Sequence, residues 1–252
     1  MRAAPIQVRS LGRTADVGAN AYLVTTEHCH ILLDAGAATS DRLGWLDALD
    51  VRPDVPLFVW ISHLHADHLG ALPSLYQRHA HVQIVMTPLS AALMPAACRG
   101  LFKETHHSEH ASQALAALSH KLPLRTRWRL PLDTDSPDAV YLTAFPCGHV
   151  PGAASLLLEV GREEKFHKIF YLPDFSTHLA TLATPFDPRT ITSRDGEPVR
   201  PDLLIMEGML GSDAQANRLH IEEEMDALVH ACITRLEQRW GGQLIAAQGL
   251  GV

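Results

Sequence analysis

The chain has 252 residues, which is long enough to form one large domain or two small ones with a sizeable core. Hydrophobic residues make up 46% and charged residues 19%, with a mean hydropathy of +0.00, and this balance excludes a largely disordered chain. The net charge of -7 argues against a broadly basic nucleic-acid-binding surface, although bound metal ions would add positive charge that this count leaves out.

The N-terminus and the cysteines give no sign of secretion. No apolar run reaches the ~20 residues that a bilayer span needs, and residues 1–6 contain no apolar signal core. The cysteines lie far apart without a C-x-x-C pair, which indicates buried reduced thiols; they are Cys29, Cys98, Cys147 and Cys232. We therefore expect a cytoplasmic protein without membrane contact.

Hydrophobic periodicity in the first third of the chain predicts strands that lead into an α/β unit. Strands are predicted at residues 6–11, 20–24, 30–34 and 56–62, the last covered on both faces. A short amphipathic helix at 40–49 precedes that buried strand, and a helix at 67–78 and a strand at 82–86 follow it. This order places polar residues at the carboxyl end of a buried strand, where α/β proteins carry their chemistry.

The rest of the chain continues the mixture of helices and strands. Residues 91–120 are mostly helical in composition, and strands are predicted at 139–143, 154–160, 168–172 and 203–207. Residues 187–201 are rich in Pro, Asp and Arg and predict a loop. An amphipathic helix is predicted at 220–240 and a final strand at 243–247.

Four potential metal ligands follow the buried strand directly, in His63-Leu64-His65-Ala66-Asp67-His68. His63 and His65 are two residues apart at a strand end, so their side chains can project the same way and share one metal ion. Asp67 and His68 follow where the chain turns into a helix and can face a second ion. Imidazole and carboxylate suit Zn²⁺ or a similar divalent cation, and two neighbouring ions can activate water. The cluster therefore predicts a two-metal hydrolytic site.

Residues 60–70, with the letters WISHLHADHLG, resemble the signature of the metallo-β-lactamase superfamily. Residues 34–36, 147–155 and 171–176 match further motifs of that family in order, with Pro173 where the family usually has Gly. The resemblance implies an α/β chain folded as a layered αββα sandwich. It also implies two Zn²⁺ ions, with Mn²⁺ as an alternative metal.

The same resemblance assigns the ligands. His149 would complete the set of the first ion, and Asp174 would bridge both ions; the full set is His63, His65, Asp67, His68, His149 and Asp174. Asp67 would also orient the attacking water. Asp34 has two interpretations: the resemblance implies that it supports the site, and an Asp before Ala-Gly is also typical of a turn.

Residues 202–211, with His220 and Glu224 further on, are similar to a segment of the β-CASP nucleases, metallo-β-lactamase-fold enzymes that cut RNA or DNA. This similarity implies that Glu207 belongs to an acidic motif beside the metal centre and takes part in catalysis. Gly208-Met209-Leu210 stands where these nucleases have a small residue, Thr and Tyr. Residues 241–251 resemble the strand at which the β-CASP insertion begins.

The chain ends at Val252, before the second domain and the last metal-binding histidine that a β-CASP nuclease would have. We therefore expect a single metallo-β-lactamase-like domain over residues 1–252 that lacks its last strands. His220 and His230 could replace the missing histidine, although they are expected, like His106, His107 and His110, to lie on solvent-facing helices.

Three functions follow from these interpretations. The first is a metal-dependent phosphodiesterase or ribonuclease, with RNA or another phosphodiester as substrate. The second is hydrolysis of a small ester or thioester, because the same fold supports several reactions. The third is a truncated, non-catalytic protein that binds a metal or a partner. The sequence does not indicate an oligomeric state.

Overall fold

A computed structural model of the protein describes residues 6–12, 18–37, 44–98, 109–132, 138–162, 165–178, 182–193 and 196–208, with residues 226, 229–230 and 233–234. Contacts divide the chain into two compact units, Met1–Glu207 and Gly208–Val252. The elements and the site described below belong to the first unit. The expectation of one incomplete domain stays a prediction.

The first sheet has six strands in the described residues. In spatial order they are β1 (Gln7–Ser10), β2 (Tyr22–Thr25), β3 (His30–Leu33), β4 (Leu57–Ile61), β5 (Gln83–Met86) and β6 (His120–Lys121). The pairs β1–β2 and β2–β3 are antiparallel, and β3 to β6 are parallel. The connecting helices are α1 (Gly44–Asp47), α2 (Ala66–Leu69), α3 (Leu72–Arg78), α4 (Pro88–Ala97) and α5 (Glu109–Leu118). Parallel strands need crossover connections, and these helices supply them. Helices between the parallel strands were predicted from the sequence.

The second sheet has five strands in the described residues. They are β7 (Arg127–Arg129), β8 (Ala139–Pro146), β9 (Ala154–Arg162), β10 (Lys165–Leu172) and β11 (Leu203–Met206), and β7 to β10 pair in antiparallel fashion. β11 pairs parallel to β10, with Leu172 opposite Met206. The carboxyl ends of β10 and β11 therefore lie at the same edge.

The two sheets pack on a shared apolar core. Alternate residues of the facing strands supply it, among them Ile31, Leu33, Phe58, Trp60, Val140, Leu142, Leu156 and Leu158. Every residue of β4 is buried, which confirms the prediction of a strand covered on both faces. A second apolar cluster covers part of the second sheet. It includes Phe145, Leu157 and Phe170, with partly buried Phe175 and Phe186 packed against them. The fold is a layered α+β sandwich, as predicted.

The structure corrects several predicted elements. The helix predicted at 67–78 is two helices, because Pro73 in the first turn of α3 has no N–H and its ring cannot follow an unbroken helix. β6 and β7 were not predicted, since strands of two or three residues are too short to show a period. β1 is exposed and not half-buried.

Other predicted elements lie only partly within the described residues. The described residues of the range 187–201 form a loop with a 3-10 turn at Pro188–Thr190, as predicted apart from that turn, and residues 194–195 lie outside the described residues. The helix predicted at 40–49 appears as α1, while residues 40–43 lie outside the described residues. Residues 226, 229–230 and 233–234 are helical, and the rest of the predicted helix at 220–240 and the strand at 243–247 lie outside.

Two predictions from composition can be compared with the structure. Cys29, Cys98 and Cys147 are buried free thiols, as predicted, and Cys232 lies outside the described residues. Among the described helices, none combines the length and the apolar character that a membrane span requires.

Candidate metal centre

The predicted ligands lie in loops and in α2, where strands of the sandwich end at one edge. Asp34 follows β3, His63 follows β4, His149 follows β8 and Asp174 follows β10. Residues distant in the sequence therefore meet because their strands end together. This is the place where α/β folds carry functional side chains.

Three imidazole nitrogens and one carboxylate oxygen converge in the first ligand set. His65 Nδ1 lies 3.1 Å from His63 Nε2 and 3.1 Å from His149 Nε2. Asp174 Oδ2 lies 3.5 Å from His149 Nε2 and 3.9 Å from His63 Nε2. Ligand atoms ~2.0–2.1 Å from a tetrahedral zinc ion are separated by about 3.3 Å, so these distances fit one divalent cation.

Hydrogen bonding alone does not account for this convergence. His65 Nδ1 can make one hydrogen bond, as donor or as acceptor, yet two other ring nitrogens lie equally close to it. The three rings meet nearly at right angles, with interplanar angles of 80°, 83° and 82°. Nitrogens facing a common point in this way are arranged as ligands of a cation.

The protonation of this set also suits a metal. Burial lowers the pKa of His63 well below its ordinary value, and the nearby His68, His149 and His65 lower it further. Burial also lowers the pKa of His65 and His149, against the opposing effect of neighbouring carboxylates. The three imidazoles are therefore neutral at neutral pH, which is the form that binds metal ions.

Asp174 connects this set to a second one. Its Oδ1 lies 3.3 Å from His68 Nε2, and Asp67 Oδ2 lies 3.6 Å from the same nitrogen. The two carboxylates and His68 can hold a second cation, with Asp174 offering one oxygen to each set. Asn20 Nδ2 lies 3.0 Å from His68 Nε2, so this amide borders the second set.

Asp34 lies behind His68 and is fully buried. Its carboxylate accepts hydrogen bonds from Ser62 N and Ser62 Oγ at 2.7 Å each and from Tyr171 OH at 2.6 Å. It also lies 2.7 Å from His68 Nδ1. Asp34 has a φ of 61°, a left-handed conformation that Asp tolerates in turns. The contact with His68 supports the first interpretation, a residue that orients a ligand of the site. The turn interpretation stays a prediction.

The carboxylates change the protonation of His68. Burial by itself lowers the pKa of His68, but Asp34, Asp174 and Asp67 together raise it to about 10. Burial likewise raises the pKa of Asp174, but the hydrogen bond and charge of His68 lower it below its usual value. In the metal-free protein His68 and Asp174 are consequently an ion pair.

Backbone contacts fix the loops against each other. Asn20 N donates to Asp67 O at 2.7 Å, and Ala35 N donates to His68 O at 2.8 Å. A Cβ at Gly36 would collide with the carbonyl oxygen of Asp67, so only glycine allows this approach. Gly148 has a φ of 80°, and a Cβ there would collide with the carbonyl oxygen of Ser176. The loop of His149 is thus fixed to the loop that carries Asp174.

The structure brings the six predicted ligands into one cluster, and they are His63, His65, Asp67, His68, His149 and Asp174. Glu207 is partly buried and follows β11, and its N–H donates to Leu172 O at 3.3 Å. The strand pairing places Glu207 beside Pro173, at the edge that carries Asp174. Its catalytic role stays a prediction.

Of the other histidines considered as ligands, the structure describes the position of two in the chain, His110 and His230. His230 is exposed on a helical segment of the second unit. His110 belongs to α5, and His106, His107 and His220 lie outside the described residues, as do Glu224 and residues 241–251.

Sequence reasoning missed Asn20, Ser62 and Tyr171 as parts of the site. Ser62 directly precedes the histidine cluster, and Tyr171 lies three residues before Asp174, so proximity to the motifs was the available signal. Asn20 was included in a predicted strand without a functional role. Only the three-dimensional structure places its amide next to His68.

Comparison with known proteins identifies the family. The profile of the Metallo-beta-lactamase superfamily matches residues 14–162, more than half of the chain. The chain belongs to the metallo-β-lactamase superfamily. The resemblance of residues 60–70 is therefore confirmed, and the layered sandwich is the metallo-β-lactamase fold. Family membership together with the His/Asp cluster implies a divalent metal.

Two proteins with similar sequences indicate which members of the superfamily the chain resembles. "Probable RNase MJ4" of Methanocaldococcus jannaschii is 28% identical, over 84% of this chain and 47% of its own length. "Cleavage and polyadenylation specificity factor 73" of Drosophila melanogaster is 26% identical, over 98% of this chain and 34% of its own length. These matches confirm the predicted similarity of the chain to the N-terminal half of β-CASP nucleases. The chain thus spans about half or less of the length of these relatives, whose names support a metal-dependent hydrolase.

A solved structure gives a more distant likeness. The subclass B3 metallo-beta-lactamase MEM-A1, from a soil metagenome library, is 17% identical with a TM-score of 0.46. The match covers 79% of this chain and 75% of that chain.

Proposed function

We propose that this chain carries the metal centre of a metal-dependent phosphodiesterase that cuts RNA, with two divalent cations, Zn²⁺ or Mn²⁺, as its cofactors. The observation that carries the proposal is the position of Asp174. Its two oxygens point to two adjacent ligand sets, one around His65 and one around His68. A carboxylate shared in this way is suited to a pair of ions.

Each set has its own role in the proposal. His63, His65 and His149 would hold one ion, Asp67 and His68 the other, and Asp174 both. Two metal ions held in this way would supply Lewis acidity toward a phosphoryl oxygen and would lower the pKa of water.

The carboxylates differ in their access to solvent. Asp67 is 34% exposed, against 22% for Asp174 and none for Asp34. Asp67 is therefore the carboxylate best placed to orient an incoming water and accept its proton. Glu207 would act at the same edge, beside the strand end that carries Asp174.

The charge of the loaded site supports an anionic substrate. Two divalent cations bring four positive charges against the three carboxylates of Asp34, Asp67 and Asp174, so the loaded site is locally positive in a chain of net charge -7. A phosphodiester fits such a site. The preference for RNA over other esters comes from the two named RNA-processing relatives.

Comparison of the wild type with His65→Ala tests the proposal. Both proteins are stripped of metal, loaded with Zn²⁺ or Mn²⁺, and assayed on a fluorogenic oligoribonucleotide and on bis(p-nitrophenyl) phosphate. His81→Ala is the matched control, because His81 is an exposed histidine outside the cluster. We expect His65→Ala to lose about 10³-fold in rate or more, since a catalytic metal contributes several kcal/mol of transition-state stabilisation.

Two results would contradict the proposal. One is an equal rate for the wild type and His65→Ala, and the other is less than one bound ion per wild-type chain. Metal binding without turnover of either substrate would instead favour the non-catalytic, metal-binding function.

A further inference from the structure

A cavity lies at the end of the sandwich away from the metal centre. It has a volume of about 640 Å³, and its lining includes Glu27 and His28 from the β2–β3 turn and Asp138 before β8. β8 runs from this end toward the metal edge, and its eight residues span roughly 26 Å at about 3.3 Å each. The cavity is therefore separate from the centre described above.

Three side chains of types that can bind a metal ion meet at this cavity. His28 Nε2 lies 3.6 Å from Asp138 Oδ2, and one ligand atom each of Glu27, His28 and Asp138 lies within 4.8 Å of the others. The same limit describes the set of His63, His65, His149 and Asp174. His28 and Asp138 are mostly buried, with 17% and 14% of their side chains exposed.

Neighbouring groups hold these side chains in position. Thr26 Oγ1 accepts hydrogen bonds from His28 N at 3.2 Å and Cys29 N at 2.9 Å, which fixes the turn. Arg162 Nε lies 2.7 Å from Asp138 Oδ1, so the other carboxylate oxygen is directed to His28. Ligands held by outer hydrogen bonds lose less conformational freedom when a metal binds.

We propose that Glu27, His28 and Asp138 bind a divalent transition-metal cation, with Zn²⁺ as the ion we would test, separately from the catalytic pair. One imidazole with two carboxylates suits Zn²⁺ better than Ca²⁺ or Mg²⁺, which prefer oxygen ligands alone. The cavity has room for water to complete the coordination. Glu27 and His28 lie in the turn between two strands of the first sheet, and Asp138 directly precedes β8 of the second, so the bound ion would link the two sheets.

Zinc content measured by mass spectrometry tests this site without relying on activity. Wild type, His28→Ala, Glu27→Gln and the control His81→Ala are equilibrated with a buffered micromolar Zn²⁺ solution. We expect the wild type and His81→Ala to bind one more ion per chain than the other two variants. Loss of one ligand should weaken this site at least about tenfold. Zn²⁺ should also raise the melting temperature more in the wild type than in the variants, because binding stabilises the folded state.

Equal zinc content in all four proteins would overturn the proposal. Glu27 is exposed, so Glu27→Gln decides the matter even if His28→Ala fails to fold. Neither variant touches the catalytic cluster, and their hydrolysis rates should equal that of the wild type. A zinc content one ion lower with an unchanged rate would therefore support this site whether or not the proposed ribonuclease activity is correct.

Discussion

The two ligand sets of the metal centre contain the same residue types but hold their protons differently. In the first set, burial dominates and keeps His63, His65 and His149 neutral. In the second set, carboxylates outweigh an equally strong burial and keep His68 protonated. Among these carboxylates the largest effect on the pKa of His68 comes from Asp34, which lies 2.7 Å from His68 Nδ1, and Asp174 and Asp67 add to it. The first set is thus ready for a metal ion, whereas the second must first lose a proton.

The largest effect should follow from removing the one residue that both sets share. Asp174→Asn takes a charged oxygen from each set, so we expect less than one bound ion per chain and a rate about 10³-fold lower or more. Metal analysis and the oligoribonucleotide assay measure both effects. Asp187→Asn is the control, since Asp187 is an aspartate whose side chain pairs with exposed Arg189 outside the centre. Full metal content in Asp174→Asn would show that the sets are independent.

A smaller effect should separate the two sets. Asp34→Asn keeps the shape of the side chain but removes the charge behind His68. Near pH 10, where the proton of His68 no longer competes with the metal, we expect the second ion to bind about 10–100-fold more weakly, which is the usual cost of changing a group that orients a ligand. The first ion should bind as in the wild type. Competition with a fluorescent zinc chelator measures both affinities, and equal weakening of the two ions would contradict the comparison.

The pH dependence of binding should differ between the sets as well. His68 is protonated below its pKa of about 10, and a metal can bind it only after its proton leaves Nε2. The affinity for the second ion should therefore rise about tenfold per pH unit from about pH 7 and level off near the pKa of His68. The first ion should show no such rise above about pH 7, because the pKa values of its histidines lie below 6.5.

Calorimetry in buffers of different ionisation enthalpy counts the protons released. We expect one proton with the second ion and none with the first at about pH 7.5. Proton release with both ions, or with neither, would contradict the assignment of opposite protonation states.

The sequence was informative about the site because its ligands lie in dense local patterns. Four of the six ligands fall within residues 63–68, and the family resemblance supplied His149 and Asp174. The buried strand before the cluster was equally clear, since a short unbroken run of apolar β-forming residues is typical of a strand covered on both faces. What sequence reasoning could not supply were contacts made by side-chain orientation across the fold. Tyr171 and Asn20 reach Asp34 and His68 from distant strands and loops, and no spacing in the sequence indicates this.

The smallest effect should come from Tyr171, which supports His68 only through Asp34. Tyr171→Phe removes one hydrogen bond to that buried carboxylate, while the two from Ser62 remain. We expect a loss of about 1–2 kcal/mol in the free energy of unfolding, measured by urea denaturation of the metal-free protein. The second ion should bind only a few-fold more weakly, well short of the ~10–100-fold effect of Asp34→Asn.

Tyr22→Phe provides the control for this variant. The two tyrosine rings are neighbours, with centroids 5.9 Å apart, but the hydroxyl 2.6 Å from Asp34 belongs to Tyr171. Tyr22→Phe should therefore leave both the unfolding free energy and the affinity for the second ion nearly unchanged. If the two variants behave alike, the hydroxyl of Tyr171 does not support Asp34. Asp34 would then be held by the two hydrogen bonds from Ser62 and by His68, without a contribution from the second sheet.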